Sequence, residues 1–191
     1  MGRKLKYAGA AILVFAAAVY LNNTSFLAKH REGKPLLLAH RGIAQRFDET
    51  DLKNDTCTAT RMLPPKHDYL ENTIRSMQAG FNAGADVVEV DIHPTTDGQF
   101  AIFHDWTLDC RTDGHGVTRE HSMTEMKLLD IGYGYTADNG KTFPFRGKGV
   151  GQMPTLDEVL STFPDKHLLI KCQKSRPLGG RKARCRAEWP A

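Results

Sequence analysis

One heptapeptide, Asp86-Val87-Val88-Glu89-Val90-Asp91-Ile92, constrains the fold more tightly than any other stretch of the sequence. Side chains alternate across a β-strand, so Val88, Val90 and Ile92 fall on one face and Glu89 and Asp91 on the other. The apolar face demands a hydrophobic layer against it. The acidic face sets two carboxylates side by side; these repel unless a cation lies between them, and hard oxygen ligands suit Ca2+ or Mg2+. Taken alone, the pattern also fits the solvated face of an antiparallel sheet, so the surrounding segments decide.

Those segments read as α/β. Pro35 opens Leu36-Leu37-Leu38-Ala39, an apolar run that predicts a fully buried strand. Residues 45–69 are poor in apolar side chains and contain Pro64-Pro65, which predicts a long loop of the kind that carries function or moves. Ile74, Met77, Gln78 and Phe81 recur at spacings of three and four, predicting a helix over 71–83 punctuated by Gly80 and Gly84. After the heptapeptide, Pro94 and a Thr96-Asp97-Gly98 turn lead to a second strand over 99–103. Ser122-x-x-Glu125 and Thr155-x-x-Glu158 each match a helix capping box, and Leu168-Leu169-Ile170 predicts another buried strand. Short apolar strands alternating with helices argue for an α/β fold with parallel strands. No internal repeat is present.

The two ends differ from this body. Arg3, Lys4 and Lys6 precede an uncharged run from Tyr7 to Leu21, the order of a signal anchor or signal peptide over residues 1–21. A run of that length extends only about 22 Å as a helix, against a hydrocarbon core of about 30 Å. Ala16 and Ala18 supply a small-x-small cleavage pattern near Val19. Retained cations on the inside predict a chain anchored in the membrane and facing the extracytoplasmic side, or secreted if the signal is cut. Residues 22–34 read as a polar linker. From Lys171 onward lie seven basic residues and one acid, leaving 19 basic against 21 acidic residues elsewhere, so the net charge of +4 belongs to the tail. Nucleic acid is not indicated as a partner.

Three polar groups carry chemistry. His40 and Arg41 leave the end of the first strand in Ala39-His40-Arg41-Gly42; Glu89 and Asp91 form the second group; His104-Asp105 leaves a strand and precedes Arg111-Thr112. If the strands are parallel, all three emerge at one carboxyl edge, where α/β barrels place their chemistry. No C-x-x-C spacing joins Cys57, Cys110, Cys172 or Cys185, so a cysteine metal site is not expected.

In this order, Ala39-His40-Arg41-Gly42, Glu71-Asn72-Thr73, Gly84-Ala85-Asp86-x-x-Glu89-x-Asp91, Asp97-Gly98, His104-Asp105-x-x-Leu108-x-x-Arg111-Thr112 and Pro154-Thr155-Leu156-x-Glu158-Val159 resemble the glycerophosphodiester phosphodiesterases over residues 35–170. The resemblance implies a TIM-type (β/α) barrel and a divalent cation, Ca2+ or Mg2+. It implies hydrolysis of a small-molecule glycerophosphodiester to sn-glycerol 3-phosphate and an alcohol. By position it makes His40 and His104 the general acid/base pair and gives the metal to Glu89 and Asp91. Arg41 would bind the phosphate, and Glu71 would line the same site near the cation and glycerol.

The sequence departs from that pattern in one respect. A complete barrel takes about 250 residues, so residues 35–170 predict only its first half. Residues 171–191 read as a basic tail unlike the family. A frameshift is one hypothesis for the tail: if the codons AAA TGT CAA AAG encode Lys171 to Lys174, removing one A yields Asn-Val-Lys, the family's pattern. A genuine lipid-binding tail is the alternative. If the tail is out of frame, Cys57 and Cys110 are the original cysteines, and in an oxidising compartment they are expected to pair. Three competing functions follow: an inactive truncated product, a related barrel phospholipase acting on membrane lipids, and a non-catalytic binding protein that keeps the phosphate site.

Overall fold

The heptapeptide forms the centre of the sheet. Strand β2 (Val87–Pro94) pairs in parallel with β1 (Leu38–His40) on one side and β4 (His167–Cys172) on the other, and antiparallel with β3 (Phe100–Ile102) at its end. The computed structural model describes residues 2–24, 33–53 and 55–173. These fall into two units, Met1–Pro35 and Leu36–Ala191.

In the larger unit, both faces of β2 are covered, as its pattern requires. Val88 and Val90 are fully buried and Ile92 nearly so, against Met77 and Phe81 of α2 (Ile74–Asn82), Leu156 and Val159 of α4 (Leu156–Thr162), and Phe163 at its C-cap. Each such side chain contributes about 1.5–3 kcal/mol by leaving water. The capping boxes form where the sequence places them: Ser122 caps α3 (Met123–Met126) through Glu125, and Thr155 caps α4 through Glu158. Helix α2 starts three residues later than 71, because Thr73 takes the cap with Ser76 as its reciprocal partner.

A second hydrophobic cluster lies among irregular segments, uniting Met62 of the long loop and Leu70 just after it with Phe103, Leu108, Met123 and Tyr135. Its backbone polar groups need partners. Buried Asp130 provides some of them, accepting hydrogen bonds from the amides of Gly132 (3.0 Å) and Gly149 (2.9 Å) through Oδ1, and from Gly147 (2.6 Å) through Oδ2. The long loop is likewise organised, with a 3-10 turn at Ala59–Arg61 and a bridge from Phe47 to Met62.

Three expectations are corrected. The first strand is not fully buried: Leu36, Leu37 and Leu38 are 71%, 52% and 46% exposed. β1 has only β2 beside it among the described residues, so one edge and one face stay open. Leu169 of β4 is half exposed for the same reason, while Leu168 and Ile170 pack on the core. The sheet has three parallel strands among the described residues rather than the half-complement of a barrel, because residues 103–166 connect β3 to β4 without adding a strand.

In the smaller unit, α1 (Gly2–Asn23) forms over the expected apolar run, and its central side chains, Ile12 to Phe15, are exposed. No helix among the described residues is long and apolar enough to cross a membrane. The expected transmembrane anchor is thus not supported: three cations precede the apolar run and Asn22-Asn23 follow it, leaving a short apolar stretch. Most of the 22–34 linker, residues 25–32, lies outside the described residues. So does the tail from residue 174 onward; its first two residues, Lys171 and Cys172, belong to β4.

Candidate active site

The site forms where β1 and β2 end. His40 is the last residue of β1 and sits in register with Glu89. The chain then turns sharply: Arg41 has φ 60° and Gly42 φ 74°. A Cβ at Gly42 would lie 2.5 Å from the Ser76 carbonyl carbon, so glycine alone lets the turn press against the first turn of α2. The same contact lets the Ile43 amide donate to the Ser76 carbonyl.

On the acidic face of β2, Glu89 and Asp91 are buried, at 4% and 0% exposure, and His93 continues their row. Asn72, itself at φ 58°, clamps Asp91 twice: Nδ2 donates to Oδ2, and Oδ1 accepts from the Asp91 amide, both at 3.3 Å. His40 Nε2 lies 3.6 Å from Glu89 Oε2. Arg41 forms ion pairs with Glu71 (Nη1 to Oε1, 2.8 Å) and Asp91 (Nε to Oδ2, 3.0 Å). From β4, Lys171 Nζ approaches Asp91 at 3.5 Å and Glu89 at 3.8 Å, and the Gln173 side-chain amide donates to Asp91.

His104 reaches this place by a route other than the expected one. β3 runs antiparallel to β2, and the hairpin folds His104 back beside His93, whose Nε2 lies 3.2 Å from the His104 carbonyl. Burial holds His93 well below the usual imidazole range, at about 4, so the ring is neutral near pH 7. Its Nδ1 accepts from Arg119 Nε at 3.3 Å, leaving Nε2–H to donate to that carbonyl. The His104 ring is held by Asp105, Nδ1 to Oδ1 at 2.7 Å. Asp105 is in turn paired with Arg111, Nε to Oδ2 at 2.9 Å. Burial pushes the Asp105 carboxyl up, but the Arg111 guanidinium and His104 outweigh it and hold it at about 2.

His40, Arg41, Glu71 and His104 line one cavity of about 720 Å3, together with His93 and Lys171. Glu89 and Asp91 lie within ion-pair reach of His40, Arg41 and Lys171. The sequence-derived site residues are thus brought together. A separate cleft of about 610 Å3 between α2 and α4 contains none of them.

As cation ligands, Glu89 and Asp91 present hard oxygens, and Glu89 Oε2 is buried without a hydrogen-bond donor, which suits a divalent ion. Both Glu71 oxygens are already paired with arginines. No group of three or more metal-ligating side chains converges among the described residues. The donors present therefore fit part of a coordination shell.

The sequence reading missed four contributors. Asn72 and Arg111 stand inside motifs it singled out, and their roles emerge only from contacts. Tyr135 and Thr58, both partners of Arg111, carry no local signal, being 24 and 53 residues distant from it. Cys57 and Cys110 do pair, with Cα atoms 5.6 Å apart, tying the long loop to the segment after His104.

Known proteins resemble this chain in sequence and in fold. The model of the glycerophosphoryl diester phosphodiesterase family matches residues 40–186, past the point at which the motifs end. The chain is 32% identical over 141 residues to a glycerophosphodiester phosphodiesterase of Caldanaerobacter subterraneus, covering 73% of this chain and 45% of the relative. A Bacillus subtilis protein of the same name is 35% identical over 96 residues, covering 49% of this chain and 31% of its own. The chain thus spans less than half the length of these relatives. In structure it is similar to a glycerophosphoryl diester phosphodiesterase domain from Mycobacterium tuberculosis, with TM-score 0.54 and 21% identity over 73% of this chain and 44% of that one. The likeness shows the fold, the α/β barrel type.

Proposed function

The chain belongs to the glycerophosphoryl diester phosphodiesterase family, and from that membership we propose that it hydrolyses glycerophosphodiesters to sn-glycerol 3-phosphate and an alcohol. The observation that carries the reading is the meeting of His40, Arg41 and His104 in one cavity beside Glu89 and Asp91. Hydrolysis forms a P–O bond to water and breaks the P–O bond to the alcohol. One histidine takes the proton from the attacking water, and the other delivers a proton to the leaving alkoxide. Arg41, anchored by Glu71, offers its guanidinium to the non-bridging phosphate oxygens. A divalent cation, Ca2+ or Mg2+, held by Glu89 and Asp91 would neutralise charge on the same phosphate.

The test is release of glycerol 3-phosphate from glycerophosphocholine by the purified full chain with Ca2+ or Mg2+, beside His40→Ala and His104→Ala. Loss of either histidine is expected to lower kcat by about 100-fold or more. Equal activity in a histidine variant and the parent refutes the assignment.

For residues 1–21 we propose an export signal, supported by three cations ahead of an apolar run and by cysteine pairing in the body. Fused ahead of a reporter active only outside the cytoplasm, residues 1–34 are expected to yield activity. A silent reporter overturns the proposal.

A further inference from the structure

Beyond the acid/base pair lies a continuous chain of alternating charges. It runs from Asp91 through Arg41 (3.0 Å), Glu71 (2.8 Å), Arg111 (3.2 Å) and Asp105 (2.9 Å) to His104 (2.7 Å). We propose that Asp105 and Arg111 are positioning residues: Asp105 fixes the ring of His104, and Arg111 fixes Asp105 and Glu71 together, so that histidine and phosphate-facing arginine are set by one rigid assembly. The inference rests on the hydrolase reading of His104 and adds to it the groups that make that histidine competent.

Both Asp105 oxygens are committed, Oδ1 to His104 Nδ1 and Oδ2 to Arg111 Nε. An ionised carboxylate only accepts hydrogen bonds, so His104 must carry its proton on Nδ1, leaving Nε2 as the base when the ring is neutral. Free imidazole side chains have no such constraint. Asp105 therefore selects a tautomer as well as an orientation.

Arg111 is 3% exposed, and its guanidinium is used on every side. Besides Asp105 and Glu71, it donates to Tyr135 Oη at 2.7 Å through Nη1 and to Thr58 Oγ1 at 2.6 Å through Nη2. Burial pushes its pKa down, but Asp105 and Glu71 outweigh that and raise it well above the ordinary value, so it is a permanent cation. A planar fork can serve four acceptors at fixed angles; a lysine ammonium in the same place could not. Thr58 and Arg111 each directly follow a cysteine of the Cys57–Cys110 pair, so the bridge delivers the two partners to one another.

The test uses the full chain labelled with 15N histidine, with His104→Ala to assign the resonance. Above neutral pH, His104 is expected to show the Nδ1–H tautomer in the parent and to lose it in Asp105→Asn. In that variant kcat falls about 100-fold with KM within twofold, since orientation of the acid/base group is lost while substrate contacts remain. Arg111→Lys is expected to lose the tautomer as well; should it fail to fold, Thr58→Val gives the same readout with a smaller loss. The tautomer is read whether or not the chain turns over substrate. Failure of the hydrolase reading thus appears in the rates, and failure of the positioning role in the spectrum. An Nε2–H tautomer in the parent, or an Asp105→Asn chain with unchanged tautomer, overturns the inference.

Discussion

Removing the Cys57–Cys110 bridge by Cys57→Ala together with Cys110→Ala tests how the irregular layer over the site is held. The bridge closes a segment with a sequence separation of 53, joining the long loop to the segment that carries Arg111. Closing a loop of that length removes about 14 cal/mol/K of chain entropy from the unfolded state, or about 4 kcal/mol at 25 °C. Domains of ordinary stability have only about 5–15 kcal/mol in all. With a urea slope of about 2 kcal/mol/M, the midpoint should fall by about 2 M in the double variant. Far-UV circular dichroism across a urea series, in buffer without reductant, reads the shift directly. A midpoint within about 0.5 M of the parent would refute the reasoning. The packing of Met62, Leu70, Leu108 and Tyr135 would then hold the layer without covalent help.

Two further outcomes follow from the contacts around β2. Asn72→Ala removes both hydrogen bonds to Asp91 and leaves alanine at φ 58°. Calcium affinity by titration calorimetry should fall by about 10–100-fold, and an unchanged affinity would detach Asn72 from the cation site. The second concerns acid. Asp105 titrates at about 2 in the folded chain against 3.8 unfolded. Its stabilisation of about 2 kcal/mol is therefore complete above pH about 4 and lost as pH falls through about 2. Urea midpoints measured from pH 5 to pH 2 should drop more steeply in the parent than in Asp105→Asn, and parallel curves would contradict this.

What the sequence discloses is what local chemistry decides. Ser122 and Thr155 cap their helices because the cap and its glutamate lie three residues apart. The two faces of β2 follow from a period of two that no distant residue can alter. The His40–Arg41–Gly42 turn was also recognisable, though the reason for its glycine, the backbone of Ser76, lies 34 residues away. Burial of an apolar run is a different matter. Leu36 to Leu38 are exposed because burial depends on a neighbour beside β1, and composition does not record whether one exists. His104 arrives by an antiparallel hairpin rather than a parallel strand, a distinction absent from the pattern of Phe100–Ile102. The Arg111 contacts to Thr58 and Tyr135 escaped for the same reason, being tertiary throughout.

The reading of this chain as a metal-assisted diester hydrolase is tested most directly by following glycerophosphocholine with the purified full chain by 31P NMR, first with Ca2+ or Mg2+, then after EDTA, then after restoring the metal. The glycerol 3-phosphate resonance should grow, stop and resume. A folded chain that yields no such resonance with either metal, or one that continues unchanged in EDTA, contradicts it.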